Sequence, residues 1–60
     1  MSDLSGYVGL DAVAARAKAE DTRWKLRVYT RGAVLTMDLR PDRLNLELGD
    51  DGLVTRAWVG

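Results

Sequence analysis

The residue types most often used for nucleophilic catalysis are nearly missing from this 60-residue sequence. It contains no cysteine and no histidine, so neither a thiolate nor an imidazole base is available. Its only serines, Ser2 and Ser5, lie in a short segment at the beginning of the sequence, where we expect residues 1–6 to be flexible and residue 7 still to be frayed. Nucleophilic catalysis is hard to build from this composition, and an enzyme is the least favoured function.

Carboxylates are the remaining candidates for acid–base or metal chemistry. Asp38 and Asp42 lie four residues apart. Pairing with the nearby Arg40 and Arg43 is the simpler interpretation of these two acids. The Asp50–Asp51 pair lies between two glycines, which indicates a turn and supplies too few oxygen ligands for tight calcium binding. We therefore expect no metal site and no cofactor.

The charge balance argues against two classes of partner. Nine basic and nine acidic residues cancel, whereas a nucleic-acid-binding domain of this size normally has a basic excess, so we expect no nucleic-acid partner. The apolar runs are far shorter than the roughly 20 residues that span a bilayer, and we expect no membrane association. The first residues do not resemble a secretory signal, and a cysteine-free chain suits either compartment, so the localisation stays open.

Residues 11–20 predict an α-helix, because alanine, the strongest helix former, recurs through this segment. Asp11 is a favourable N-cap, and its negative charge suits the positive end of the helix dipole. One face, which we expect to be buried, carries apolar side chains at helical spacing: Leu10, Val13, Ala14 and Ala17. Alanines on this face would allow the helix to lie close to a sheet.

Residues 24–30 and 43–48 alternate between apolar and polar side chains, which is typical of half-buried strands. The side chains expected to face inward are Trp24, Leu26, Val28, Leu44, Leu46 and Leu48. Those expected to face outward are Lys25, Arg27, Tyr29, Arg43, Asn45 and Glu47. A turn at 49–52 then returns the chain as a third strand over 53–58, which forms a hairpin with the second.

The connection between the first two strands, residues 31–42, is the most informative part of the sequence, and we call it the loop. It is too long for a tight hairpin and has no helical periodicity. Connections of roughly this length without secondary structure are uncommon and often functional. The length also suits a crossover between two parallel strands, and Pro41 favours an extended conformation at Arg40.

The apolar residues of the loop are unusual for a solvated connection: Val34, Leu35, Met37 and Leu39. An extended segment with alternating side chains can bind a serine protease through strand-like main-chain pairing and side-chain pockets. Met37 is long and unbranched and could fill an apolar primary pocket, and Val34 could fill a second. The residues themselves are equally compatible with a loose or partly buried loop.

The run from residue 34 to residue 46 resembles the reactive loop and following strand of the potato inhibitor I family. It is still more similar to the related family of small fungal and bacterial elastase inhibitors, through the Arg-Pro-Asp-Arg-Leu-Asn stretch at 40–45. The similarity extends over roughly residues 7–60 and includes Val8–Gly9, Gly32 and Val59–Gly60. Its most specific part is the Thr-Met-acid pattern that is followed by Arg-x-Asp-Arg, where x is any residue.

The resemblance implies an α+β fold in which one helix packs on a small mixed sheet, with a long extended binding loop between two parallel strands. It also implies a protease-binding segment made of Val34, Leu35, Thr36, Met37, Asp38, Leu39 and Arg40. The bond that mimics a cleavage site would follow Met37. Two polar residues of the next strand, Arg43 and Asn45, would support the loop from behind. Their targets would be Thr36 and Asp38, and such support limits the entropy lost on binding.

Two positions depart from these families. Potato-type members often have a second arginine where Asn45 stands, and a neutral amide would hold Asp38 less strongly, by about 1 kcal/mol. Members of the elastase-inhibitor family often have a cysteine where Val59 stands, so no disulfide tethers the ends of this chain.

We therefore predict a single domain over residues 1–60 that inhibits serine endopeptidases of the subtilisin, chymotrypsin or elastase type through the loop around Met37–Asp38. A serine protease is the expected partner, and we expect a monomer. The excess of arginine over lysine, with abundant alanine and valine, favours a GC-rich bacterial source. The alternative is a non-inhibitory interaction module that uses the same fold to bind a cellular partner through its sheet or loop.

Overall fold

The computed structural model describes residues 4–36 and 38–60, and these form one α-helix packed on a three-stranded sheet. The elements are helix α1 (Ala12–Glu20) and strands β1 (Lys25–Thr30), β2 (Arg43–Leu48) and β3 (Val54–Val59). The strand order is β1-β2-β3, with β1 parallel and β3 antiparallel to β2. The predicted α+β class and mixed sheet are thus confirmed. In this described part of the chain, no helix is long and apolar enough to cross a membrane.

Helix α1 begins and ends with local hydrogen bonds that its sequence explains. Asp11 is the N-cap, as predicted, and its Oδ1 accepts from the backbone N–H of Ala14 at 2.7 Å. At the other end, the N–H and the hydroxyl of Thr22 both donate to the carbonyl of Ala19. The Thr22 hydroxyl also accepts from the N–H of Trp24 at 3.1 Å. These bonds satisfy terminal backbone groups and direct the chain into β1.

The buried face of α1 differs from the predicted one. Ala15 and Ala19, four residues apart, are buried against the core, whereas Val13 is 80% exposed. Ala14 and Ala17 are exposed as well. The prediction was wrong because alanine occurs on every side of this helix, so its apolar periodicity is weak. Docking then places small side chains against the sheet, where they allow close approach, and leaves the larger valine in water.

The core lies on one face of the sheet. It consists of Tyr7, Ala15, Ala19, Leu44, Leu46 and Val54, of which Leu44 and Leu46 are fully buried. Trp24, Leu26 and Val28 pack against it as partly buried residues. The central strand β2 therefore supplies the largest fully buried side chains, Leu44 and Leu46, which belong to its predicted inward row, whereas Leu48 of that row is half-buried.

Tyr7 belongs to this core, although the sequence placed it in a frayed segment. Leu4–Tyr7 form a 3₁₀ helix. The following residues are tied to β3, because the N–H of Gly9 donates to the carbonyl of Val54 and the N–H of Val54 donates to that of Leu10, both at 2.8 Å. This pairing is non-local, so a short segment considered without its partner strand gives no sign of it.

The hairpin between β2 and β3 turns at residues 49–52, as predicted. The N–H of Gly49 donates to the carbonyl of Leu53, and the N–H of Gly52 donates to that of Gly49, both at 2.9 Å. Gly52 has a φ of 79°, a conformation that side chains disfavour. The carboxylate of Asp51 accepts from the N–H of Leu53 at 3.0 Å, so Asp51 serves the turn.

Two leucines with opposite exposure test this account of the core. Leu46→Ala should lower the free energy of unfolding by about 3 kcal/mol, because it removes buried methyl groups and leaves a cavity. Leu39→Ala, the same change at a side chain that is 82% exposed, should lower it by less than about 0.5 kcal/mol. Urea titration followed by tryptophan fluorescence measures both values. Equal effects of the two variants would contradict this assignment of the core.

Candidate functional site

The loop is anchored at its start by backbone hydrogen bonds. The N–H of Arg31 donates to the carbonyl of Leu48 on β2 at 2.9 Å, and the N–H of Ala33 donates to that of Thr30 at 3.1 Å. Gly32, between them, has a φ of 88°, which glycine adopts without strain. The chain therefore leaves β1 through a tight turn that is fixed to the neighbouring strand.

The loop is anchored at its end in the same manner. The N–H of Arg43 donates to the carbonyl of Arg40 at 3.2 Å, which closes a turn whose second residue is Pro41. Proline favours this position because its ring presets φ. The carbonyl of Asp42 accepts from the N–H of Lys25 at 2.9 Å. The backbone–backbone hydrogen bonds of the described loop residues lie at these two ends. Between the ends, the described residues are held by hydrogen bonds that involve side chains.

Most of the predicted binding residues are presented to solvent. Val34 is 99% and Leu39 82% exposed, and Thr36, Asp38 and Arg40 are also exposed, whereas Leu35 is half-buried. Met37, predicted to determine primary specificity, lies outside the described residues. Two large aliphatic side chains therefore stand in water, on described residues that belong to no helix or strand.

Asp38 is surrounded by donors. The hydroxyl of Thr36 donates to Oδ1 of Asp38, and Nε of Arg40 approaches Oδ2 at 3.3 Å. The Thr36 hydrogen bond has the largest effect and, together with the charge of Arg43 and the hydrogen bond from Arg40, it lowers the pKa of Asp38 from 3.8 to about 2 against the opposing effect of desolvation. The carboxylate is therefore ionised at neutral pH and holds residues on both sides of position 37.

Arg43 supports the loop from β2. Its side chain is only 12% exposed. Its Nη2 donates to the carbonyl of Asp38 at 2.8 Å, and its Nη1 lies 3.4 Å from Oδ2 of the same residue. Its Nε donates to the carbonyl of Gly60 at 2.9 Å. One guanidinium thus joins the loop, the central strand and the last residue of the chain.

Asn45 is fully buried, whereas the alternating pattern of β2 predicted that it faces outward. The prediction was wrong because the loop and the residues after β3 cover this polar face of the sheet. The Nδ2 of Asn45 donates to the carbonyls of Gly60, at 2.9 Å, and Trp58, at 3.3 Å, and its Oδ1 accepts from Nε of Arg27 at 2.6 Å. Asn45 therefore does not contact Thr36 or Asp38 directly, unlike the support that the resemblance implied.

Sequence reasoning missed two participants, Arg27 and Gly60. The Nη1 of Arg27, on β1, donates to the hydroxyl of Thr36 at 3.0 Å. A Cβ on Gly60 would lie 2.8 Å from the ring of Trp58, so a side chain does not fit there without movement. Two signals could have identified Arg27. It lies on the polar face of β1, and in the parallel register of β1 and β2 it is the direct partner of Asn45.

The polar side chains of the site bond to one another and to the backbone. Among the described residues, no group of three or more His, Cys, Asp or Glu side chains could hold a metal ion. Every buried side-chain nitrogen or oxygen in that part of the chain has a hydrogen-bond partner.

Comparison with known proteins shows a structural similarity but no match at the level of sequence families. No protein-family model and no curated protein matches the sequence. Among solved structures, the chain is similar to the crystal structure of bitter gourd trypsin inhibitor, with a TM-score of 0.82 and 28% sequence identity. The similarity covers 100% of this chain and 93% of that chain. The fold of this protein is thus that of a small protease inhibitor, and the neighbour is not an enzyme.

The Asp38 network predicts a pH dependence with a defined sign. Because the folded protein lowers the pKa of Asp38 to about 2, its ionised carboxylate stabilises the folded loop above the ordinary pKa of 3.8, and this stabilisation is lost as the pH falls through about 2. Thr36→Val removes the strongest donor and should raise the pKa of Asp38 towards 3.8. Carboxyl ¹³C NMR titration measures the shift.

Thr55→Val provides the matched control for this titration. The hydroxyl of Thr55 bonds to Glu47 on the far part of the sheet, so the same substitution there should leave the pKa of Asp38 unchanged. An equal shift in both variants would contradict the role given to the Thr36 hydroxyl.

Proposed function

We propose that this protein inhibits serine endopeptidases by presenting residues 34–40 to the protease as a substrate mimic. The observation that carries the proposal is the support of Asp38 by Arg43, which holds an exposed segment from behind while its apolar neighbours stay in solvent. The similarity to a trypsin inhibitor over the whole chain supports protease inhibition in general. The run from 34 to 46 supports the narrower relationship with potato inhibitor I and the small elastase inhibitors.

The proposed mechanism depends on preorganisation. A protease binds an extended peptide through main-chain pairing and side-chain pockets. A free peptide loses conformational entropy when it binds in this way, whereas a segment already held by Arg43 and Thr36 loses little. The affinity therefore comes from order that exists before the protease arrives.

The same contacts explain why cleavage would be unproductive. Cutting the bond after Met37 would leave the new amino group on Asp38. Arg43 holds both the carbonyl and the carboxylate of Asp38, and β1 and β2 remain paired on either side of the cut. The amine would stay beside the acyl group and reform the bond, so the protease is occupied and turns over slowly.

The identity of residue 37 sets the proposed specificity. The primary pocket of trypsin carries an aspartate that recognises a cationic side chain, whereas that of chymotrypsin is an apolar slot. Methionine suits the apolar slot. We therefore propose that subtilisin- and chymotrypsin-like enzymes are inhibited more strongly than trypsin, although the structural neighbour is a trypsin inhibitor.

Titration of subtilisin, chymotrypsin and trypsin with the protein, followed by hydrolysis of chromogenic peptides, tests this function. We expect stoichiometric inhibition of the first two enzymes at nanomolar concentration and weaker inhibition of trypsin. Met37→Asp should abolish inhibition, because a carboxylate is costly to place in an apolar pocket. Val13→Asp, the same kind of change at an exposed position on α1, should leave inhibition intact. Rapid cleavage within residues 33–40 without inhibition would instead favour the non-inhibitory interaction module.

A further inference from the structure

Arg27 connects the centre of the sheet to the loop. It lies on β1, outside the loop and outside the strand that supplies Arg43. Its Nε donates to Oδ1 of Asn45 at 2.6 Å, and its Nη1 donates to the hydroxyl of Thr36 at 3.0 Å. The planar guanidinium presents several donors in a rigid fork, so it can hold two acceptors at once.

The anchor at Asn45 is fixed in orientation. Asn45 is fully buried, and its Nδ2 donates to the carbonyls of Trp58 and Gly60. Because carbonyl oxygens only accept hydrogen bonds, the amide must turn its NH₂ group towards them and its oxygen the other way, towards Arg27. Arg27 is also the direct partner of Asn45 in the parallel register of β1 and β2. The Oδ1 of Asn45 is therefore an acceptor of fixed orientation, and it fixes the position of the Arg27 guanidinium.

The fork of Arg27 also orients the hydroxyl of Thr36. A hydroxyl has one proton to donate. Arg27 donates to the oxygen of Thr36, so the hydroxyl keeps its own proton for the carboxylate of Asp38, which only accepts. The result is a directed series of hydrogen bonds in which Arg27 donates to Thr36 and Thr36 donates to Asp38. Such a series is cooperative, because each bond polarises the next.

We propose that Arg27 is a positioning residue for inhibition, anchored by Asn45 and acting through Thr36 on the segment that binds the protease. The loop then has two cationic supports on two strands, with Arg43 holding it after position 37 and Arg27 holding it before. This proposal deepens the proposed inhibitory function and rests on it. Arg27 then contributes to the slow cleavage of the loop by a protease.

Arg27→Met and Arg27→Lys test the proposal, with Lys25→Met as the matched control. Lys25 lies on the same strand and the same face, and its ion pair with Asp42 has side chains that are 71% and 50% exposed, so its loss should have little effect. Two experiments compare the variants. The first measures inhibition of subtilisin and cleavage by it, and the second measures the backbone order of the loop in the free protein by ¹⁵N relaxation.

We expect Arg27→Met to lower the order parameters at Thr36 and Asp38 and to weaken inhibition about tenfold, the scale of one hydrogen bond to a charged group. Cleavage of the loop should accelerate by a similar factor. Arg27→Lys should recover little of either property, because one ammonium cannot reproduce the fork. Lys25→Met should match the wild type in both measurements.

A double-mutant cycle separates positioning from a general loss of structure. In a Thr36→Val background, which leaves the sheet untouched, Arg27→Met should have little further effect on inhibition or loop order, because its route to the loop is already broken. Additive losses in this cycle would overturn the proposal, as would unchanged loop order in Arg27→Met. If loop order falls as expected while the wild-type protein inhibits no protease, the positioning role stands and the proposed function fails.

Discussion

The guanidinium of Arg43 is the contact on which the arrangement of the loop depends. It is mostly removed from water, and a shielded cation without partners is strongly destabilising. Arg43 meets this requirement by donating to the carbonyl and the carboxylate of Asp38 and to the carbonyl of Gly60. Because a charge has to be satisfied at this point, Asp38 is held in one position, although the described loop residues have backbone–backbone hydrogen bonds only at the two ends of the loop.

The two faces of the sheet are stabilised in different ways. One face packs against the helix through aliphatic side chains, as in any small domain. The other is polar, and Asn45 lies buried at its centre because the loop and the end of the chain cover it. A buried polar network is stabilising only when all of its members are paired. Order in the loop and integrity of the sheet are therefore coupled, and this suits a chain that has no disulfide and too few residues for a large core.

Polar support also explains how the loop keeps apolar side chains in water. Val34 and Leu39 would gain free energy by collapsing onto the body of the protein. They remain exposed because the hydrogen bonds of Thr36 and Asp38 hold the described residues beside them in place. Apolar groups held away from the core are available to a partner, and the proposed protease would bury them. In the proposed complex, different side chains of the same segment would thus supply the stability of the free protein and the affinity for the protease.

The sequence by itself determined the element types, because strand alternation, alanine content and the Asp11 cap are local properties. It also located the loop, whose length and apolar content match neither a hairpin nor a helix. Only the tertiary structure decided which helix face is buried, that Asn45 lies inside, and that Arg27 and Gly60 belong to the site. Alternation shows that two residues share a face but not what covers that face. The parallel register of β1 and β2 places Arg27 beside Asn45, and the carbonyl of Gly60 accepts from Arg43. Each of these contacts joins residues that are far apart in the sequence.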